Sequence, residues 1–242
     1  MKLFKKKQQD DEIVFCTAVV PAAGSSSRMG GINKIFMELD GIPVIARTLM
    51  ALEACEDIHE IIVVTRDVDI PDVAALCKSF GISKATQIVR GGATRAESVN
   101  NGVREASPSA GLIAVHDGAR PFITPELVSN VIKAAAKHHA AAPGVKVKDT
   151  VKTVKNGRVV DTPDRETLYA IQTPQIFDAD LLKGALANAM EKNLPITDDC
   201  MAVEALGTEV RIVQGSYENI KITTPEDIYL GMAIIAAGKD KV

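Results

Sequence analysis

Arg28 and Lys34 stand just beyond a run of small residues, Pro21-Ala22-Ala23-Gly24-Ser25-Ser26-Ser27, which itself follows the apolar, β-branched stretch 15–20. Small side chains let backbone N–H groups approach an anion, and clustered N–H groups form a concave nest for phosphate oxygens. The two cations add full charge to the same place. This chemistry fits the phosphates of a nucleotide bound beyond the carboxyl end of a strand; the alternative is an ordinary serine-rich strand-to-helix loop. Two better-known phosphate loops are absent. No Gly-x-x-x-x-Gly-Lys-Ser/Thr run occurs, and Ser26 stands where Gly-x-Gly-x-x-Gly needs its second glycine.

A second glycine loop, Gly91-Gly92-Ala93, runs into Thr94-Arg95-Ala96-Glu97, which has the form of a capping box at a helix start. Further on, the apolar run 112–115 ends in His116-Asp117-Gly118-Ala119-Arg120. A carboxylate there lies at the ligand edge of a parallel sheet, able to hold a hydroxyl or a metal, with Arg120 in reach of a phosphate. The alternative is an Asp117–Arg120 pair that merely stabilises the turn. His116 reads as a packed, hydrogen-bonded histidine, since no nucleophile recurs at a telling distance from it.

These residues need elements to hold them. Strands are predicted at 15–20, 60–65, 85–89 and 112–115, alternating with helices at 44–54, 72–80, 94–106 and 125–138. That order implies an α/β fold, Rossmann-like, with a mostly parallel sheet and helices on both faces. Unbroken apolar runs such as Ile61-Ile62-Val63-Val64 suit strands buried on both sides. Thr124-Pro125-Glu126 and Thr224-Pro225-Glu226-Asp227 mark helix starts, each with a Thr cap before Pro. Helices are also expected at 179–192 and from about 199 to 206, with a strand at 209–213 and another carrying Lys221.

After His139 the texture changes. Residues 145–154 alternate apolar and polar, Asn156-Gly157 supplies a turn, and Val159-Val160 resumes. Here a hairpin is predicted. Its charged residues (Lys146, Lys148, Asp149, Lys152, Lys155) favour an arm projecting from the sheet, steadied by a second subunit because an isolated two-stranded ribbon is marginal. One domain over 15–242 is expected behind a polar tail over 1–14, with 143–166 as the dimerisation arm.

Composition limits the partners. The chain has 242 residues with 46% hydrophobic and 24% charged, ordinary for a globular protein. A net charge of −3 gives no sign of a nucleic-acid binder, so any positive field is local and suits a small anionic substrate. Cys16, Cys55, Cys77 and Cys200 are widely spaced and read as buried thiols of a reducing compartment. No apolar segment of membrane-spanning length occurs, so a cytoplasmic protein is expected.

Taken together, Pro21-Ala22-Ala23-Gly24, Arg28-Met29, Lys34, Gly91-Gly92, Arg95, Ser98-Val99, His116 through Pro121, Asp149-Thr150-Val151-Lys152, Asp164-Arg165, Gln172-Thr173-Pro174-Gln175, Thr197-Asp198 and Asn219-Ile220-Lys221 occur in the order of one family. The chain resembles the 2-C-methyl-D-erythritol 4-phosphate cytidylyltransferases over about residues 17–230. It departs from them at Ser26 (a common glycine), Asn33 (often proline) and Gly118 (often alanine).

The resemblance implies a nucleotide-diphospho-sugar transferase type of fold and transfer of CMP from CTP to methylerythritol phosphate, with release of pyrophosphate. It implies Arg28, Lys34, Arg165 and Lys221 as the catalytic cations. Ala22, Ala23, Gly24, Gly92, Ala93, Ser98 and Gly118 would line the CTP site; Asp117, Arg120, Thr150 and Thr173 would surround the sugar phosphate. Mg²⁺ or another divalent cation would be bridged mainly by the triphosphate, with no dedicated protein ligands. A homodimer exchanging its arms, without nucleic acid or membrane, completes the expectation. The competing readings are a ribitol 5-phosphate cytidylyltransferase and a non-catalytic nucleotide-binding regulator on the same fold. A molybdenum-cofactor guanylyltransferase and a nicotinamide oxidoreductase fit the motifs less well.

Overall fold

The structure, a computed structural model, describes residues 14–24 and 33–238. Arg28 and Ser26 lie outside the described residues. The central sheet is built on β1 (Cys16–Pro21), β4 (Glu60–Thr65), β5 (Ala85–Arg90) and β6 (Leu112–Val115). β1 pairs in parallel with both β4 and β6, and β4 with β5.

Period-two alternation sorts the side chains of these strands into two cores. Ala18, Val20, Ile61, Val63 and Ala114 face one core, shared with α1 (Val44–Glu53), α2 (Ile70–Ser79) and α4 (Pro125–His138). Val19, Val64, Ile113 and Val115 face the other, shared with α3 (Arg95–Arg104), α5 (Ala179–Glu191) and α6 (Asp199–Glu204). The sheet is therefore covered on both faces, as parallel sheets must be. Each fully buried Ile or Val contributes about 1.5–3 kcal/mol of transfer free energy to this arrangement.

Beyond β6 the sheet turns mixed. β11 (Gln175–Asp178) runs antiparallel to both β6 and β7 (Ala140–Lys146), and β10 (Tyr169–Ile171) pairs antiparallel with the far end of β7. β12 (Arg211–Gln214) lies parallel to β7 on its other edge. A small ribbon, β2 (Glu38–Leu39) with β3 (Ile42–Pro43), leads into α1. The closing helix α7 (Pro225–Ala236) covers a third apolar cluster that includes Leu39, Phe122 and Ile222.

Thr124 caps α4 by accepting the Leu127 N–H at 3.2 Å, and the Asp227 carboxylate accepts the N–H groups of Thr223 and Thr224 at the start of α7. Glu97 behaves differently from the expected capping box. Its carboxylate accepts the Ala93 N–H at 2.7 Å, one residue before the cap, while Thr94 does accept the Glu97 N–H.

The hairpin is shorter than the sequence pattern suggests. Pro143 through Lys146 belong to β7, where Val145 is buried, so the alternation that begins there belongs to the main sheet. The ribbon proper is β8 (Thr153–Lys155) with β9 (Arg158–Asp161), turned by Asn156 and Gly157 at φ 49° and 74°. Two successive positive φ angles are the type I′ requirement that an Asn-Gly pair meets with little strain. At its root, Tyr217 donates to the Lys146 carbonyl at 2.8 Å, and the Lys148 ammonium sits 3.8 Å over the Tyr217 ring.

Candidate nucleotide site

The carboxyl ends of β1, β5 and β6 open into one cleft of about 380 Å³. Its wall includes Ala22, Ala23 and Gly24 after β1, Gly92, Ala93 and Ser98 around the start of α3, and Asp117 after β6. Lys34 and Lys221 line it from opposite sides in sequence, together with Arg95. The first loop is tied down where the Ala22 N–H donates to the Val64 carbonyl at 2.7 Å. The second loop packs against it so closely that a Cβ on Gly91 would come within 2.5 Å of the Ala23 Cβ.

The polar groups of that second loop are already in use. Ser98 Oγ accepts the Gly92 N–H at 3.0 Å and donates to the Thr94 carbonyl at 2.9 Å. With Ala93 N–H held by Glu97, this loop is a shaped wall whose donors are turned inward, unlike the open nest its glycines suggest.

Charge converges on Asp117. Its carboxylate lies 2.8 Å from the Lys221 ammonium, 3.5 Å from Arg120 Nε and 3.8 Å from an Arg95 terminal nitrogen. Burial favours the neutral acid, but Lys221 and Arg95 outweigh it and hold the pKa down at about 2. Arg95 is itself shared with Asp199, 2.7 Å away and completely buried. Burial opposes the charge on Arg95, and Asp199 and Asp117 more than offset it, so its pKa stands above the ordinary guanidinium value. For Asp199 burial prevails and the pKa is raised in spite of Arg95.

The supports lie one layer down. Thr173 Oγ1 accepts the Asp117 N–H and lies 3.1 Å from His116 Nδ1, while His116 Nε2 is 3.3 Å from the Arg120 carbonyl. This chain of contacts is satisfied by a neutral ring with its proton on Nε2. Burial agrees, lowering the His116 pKa to about 4. The histidine is thus packed, as its setting in the sequence suggests. Arg120 donates to the Asn219 carbonyl at 2.8 Å, and Asn219 donates to the Thr173 carbonyl at 3.0 Å.

Lys221 was expected on a strand, but its segment is extended without sheet pairing. The Ile222 N–H donates to the Ala119 carbonyl beside it, the Asn219 bonds hold the segment from the other end, and Ile222 is buried beneath α7. Alternation still turns Lys221 away from Ile222, toward the cleft.

The expected site residues therefore separate into three groups. Ala22, Ala23, Gly24, Lys34, Gly92, Ala93, Ser98, Asp117 and Lys221 line the cleft. Arg120, Thr173 and Gly118 do not line it: the first two brace Asp117, and Gly118 backs the first loop, its N–H donating to the Pro21 carbonyl. Arg165 and Thr150 stand exposed on the arm and do not line their own chain's cleft; Arg165 donates to the Lys148 carbonyl at 3.2 Å. Arg95 and Asp199 were missed as site residues. Arg95 had a signal, as the first helical residue after a glycine loop, whereas nothing local marks Asp199, which meets it across 104 positions.

A strand-end cleft walled by two small-residue loops and crossed by lysine and arginine is what known relatives can be compared against. The family model described as 2-C-methyl-D-erythritol 4-phosphate cytidylyltransferase matches residues 16–237. This chain belongs to that family. The enzyme of that name from Halalkalibacterium halodurans is 44% identical over 221 residues, covering 91% of this chain and 96% of the relative. That from Desulforamulus reducens is 44% identical over 225 residues, covering 90% and 94%. Among solved structures, 4-diphosphocytidyl-2C-methyl-D-erythritol synthase from Anaerococcus prevotii superposes with a TM-score of 0.84 at 33% identity, covering 93% of this chain and 97% of its own. The Thermus thermophilus cytidylyltransferase gives 0.75 at 32%, covering 90% and 98%. These likenesses agree with the α/β architecture expected from the sequence.

Proposed function

We infer that this chain transfers CMP from CTP to 2-C-methyl-D-erythritol 4-phosphate, giving 4-diphosphocytidyl-2-C-methyl-D-erythritol and pyrophosphate in non-mevalonate isoprenoid synthesis. Family membership over residues 16–237 carries this reading, and the cationic cleft supports it. An oxygen of the acceptor phosphate attacks the α-phosphorus of CTP, the bond to the bridging α–β oxygen breaks, and pyrophosphate leaves with the electron pair. Such transfer needs positioning and charge neutralisation more than a protein nucleophile. The two loop walls enclose the nucleoside, Lys34 faces the triphosphate, and Lys221 receives the acceptor phosphate; Arg28 is the further cation that the family resemblance assigns to the triphosphate. Asp117 sets Lys221 and Arg95 in place beforehand, so little rearrangement remains when the anions arrive.

The acidic side chain lining the cleft, Asp117, is already shared among three cations, and no cluster of three or more potential metal ligands occurs among the described residues. Asp117 is the residue that would help hold a divalent ion beside the substrate phosphates, and bound Mg²⁺ would supply charge neutralisation there.

The working unit is a homodimer whose arms reach into the neighbouring cleft, bringing Arg165 and Thr150 to the acceptor. Exposed Val154, Val159 and Val160 on the ribbon support this reading, as do Tyr169, Ile171 and Ile212, which gather over Gly144 at the sheet edge. No described helix is long and apolar enough to cross a membrane. Four free, buried thiols suit the reducing cytoplasm.

The test is incubation with CTP, Mg²⁺ and either methylerythritol phosphate or ribitol 5-phosphate, following pyrophosphate and the mass of the product. Release with methylerythritol phosphate is expected. Faster turnover with ribitol 5-phosphate would reassign the acceptor, and tight CTP binding with no release would point to a regulator.

A further inference from the structure

We propose that Asp69 is a positioning residue for Lys34, acting through Asn33. The inference rests on the reading that Lys34 serves the triphosphate. Lys34 opens a short 3-10 turn, Lys34–Phe36, and its two neighbours are held in different ways. On one side Ile35 is buried in the main core. On the other, the Asn33 side-chain amide donates to Asp69 Oδ2 at 3.0 Å. Asp69 cannot swing away, because Arg66 grips both of its oxygens, Nε to Oδ2 at 2.6 Å and NH2 to Oδ1 at 2.9 Å.

Arg66 follows the end of β4 directly and Asp69 closes the 3-10 turn after it, so the clamp ties the Lys34 turn to a strand paired with β1. A lysine between a buried isoleucine and a clamped asparagine has its backbone fixed on both sides. Within the turn the Phe36 N–H donates to the Asn33 carbonyl at 3.1 Å and the Met37 N–H to the Lys34 carbonyl at 3.3 Å, and the clamp sets where that turn sits relative to β4. A hydrogen bond to a carboxylate is the stronger kind, which suits a side-chain tether between two loops. Asn33 has φ −72°, within the range a proline ring imposes, so a proline can replace the bond by restricting the backbone directly.

The experiment measures kcat, KM for CTP and Tm for Asn33→Ala, Asn33→Pro, Asp69→Ala and the double variant Asn33→Pro with Asp69→Ala, with Lys34→Ala as reference. Asn33→Ala is expected to lower kcat about tenfold, with KM within about twofold and Tm within about 2 °C. Asn33→Pro is expected to stay within about threefold of wild type. Asp69→Ala is expected to slow the otherwise wild-type enzyme but to add little to Asn33→Pro. Any destabilisation from losing Asp69 appears in both backgrounds and cancels. Wild-type turnover in Asn33→Ala, equal slowing in Asn33→Pro, or an Asp69→Ala cost independent of background would overturn the clamp. If Lys34→Ala itself leaves turnover intact, the fault lies with the role given to Lys34.

Discussion

Asp117 sets one negative charge against Lys221, Arg120 and Arg95, so the cleft carries an excess of positive charge that a pair of polyanions can use. The cations should separate by substrate. Lys34→Ala is expected to reduce kcat by about 10²–10³, the usual cost of removing a group aimed at transition-state charge. Lys221→Ala is expected to raise KM for the acceptor while KM for CTP changes little. Steady-state kinetics with each substrate varied in turn checks both, and equal responses would show that the two lysines share one anion. At this scale the sequence showed the cleft-facing lysines and Asp117, because family order places them. It hid the partners. Arg95 with Asp199, and Asn219 with Thr173, are pairs made by folding across long separations, and neither partner's neighbours announce the other.

The two small-residue loops work as one element because nothing larger fits between them. Gly91→Ala would put a methyl group within 2.5 Å of Ala23 and 3.0 Å of Ser98 Oγ. The first loop must then shift, and KM for CTP is expected to rise about tenfold or more, with a stability loss of about 1–3 kcal/mol. Calorimetry and CTP titration measure the two effects separately. Strands β1, β4 and β6 were legible because apolar β-branched runs have few other uses. β7 was not, since Ala140-Ala141-Ala142-Pro143-Gly144 lacks strand-forming residues and is held by pairing on both edges. The sequence pattern consequently began the hairpin inside the sheet. β10 and β11 escaped notice for a related reason: each is a short segment whose strand character comes from its neighbours, β7 for the first and β6 with β7 for the second.

For the molecule as a whole, His116 links stability to pH. Its folded pKa of about 4 lies below the ordinary value of 6.5, so on acidification the unfolded chain takes up a proton before the folded one does. Stability is therefore lost as pH falls from about 6.5 toward 4, by about 3 kcal/mol from this residue. Chemical denaturation across that window should show a steeper decline for the wild type than for His116→Gln. Asp117, held at about 2, adds its own loss only below the usual carboxylate range, from about pH 4 downward.

Arg165 and Thr150 sit on a limb that leaves the body carrying Lys34. If the limb of one chain completes the cleft of its partner, as proposed above, two crippled chains can rescue each other. A Lys34→Ala chain mated with an Arg165→Ala chain pools both lesions in one half and leaves the other intact. Random mating of two inactive preparations should thus restore about a quarter of the normal rate.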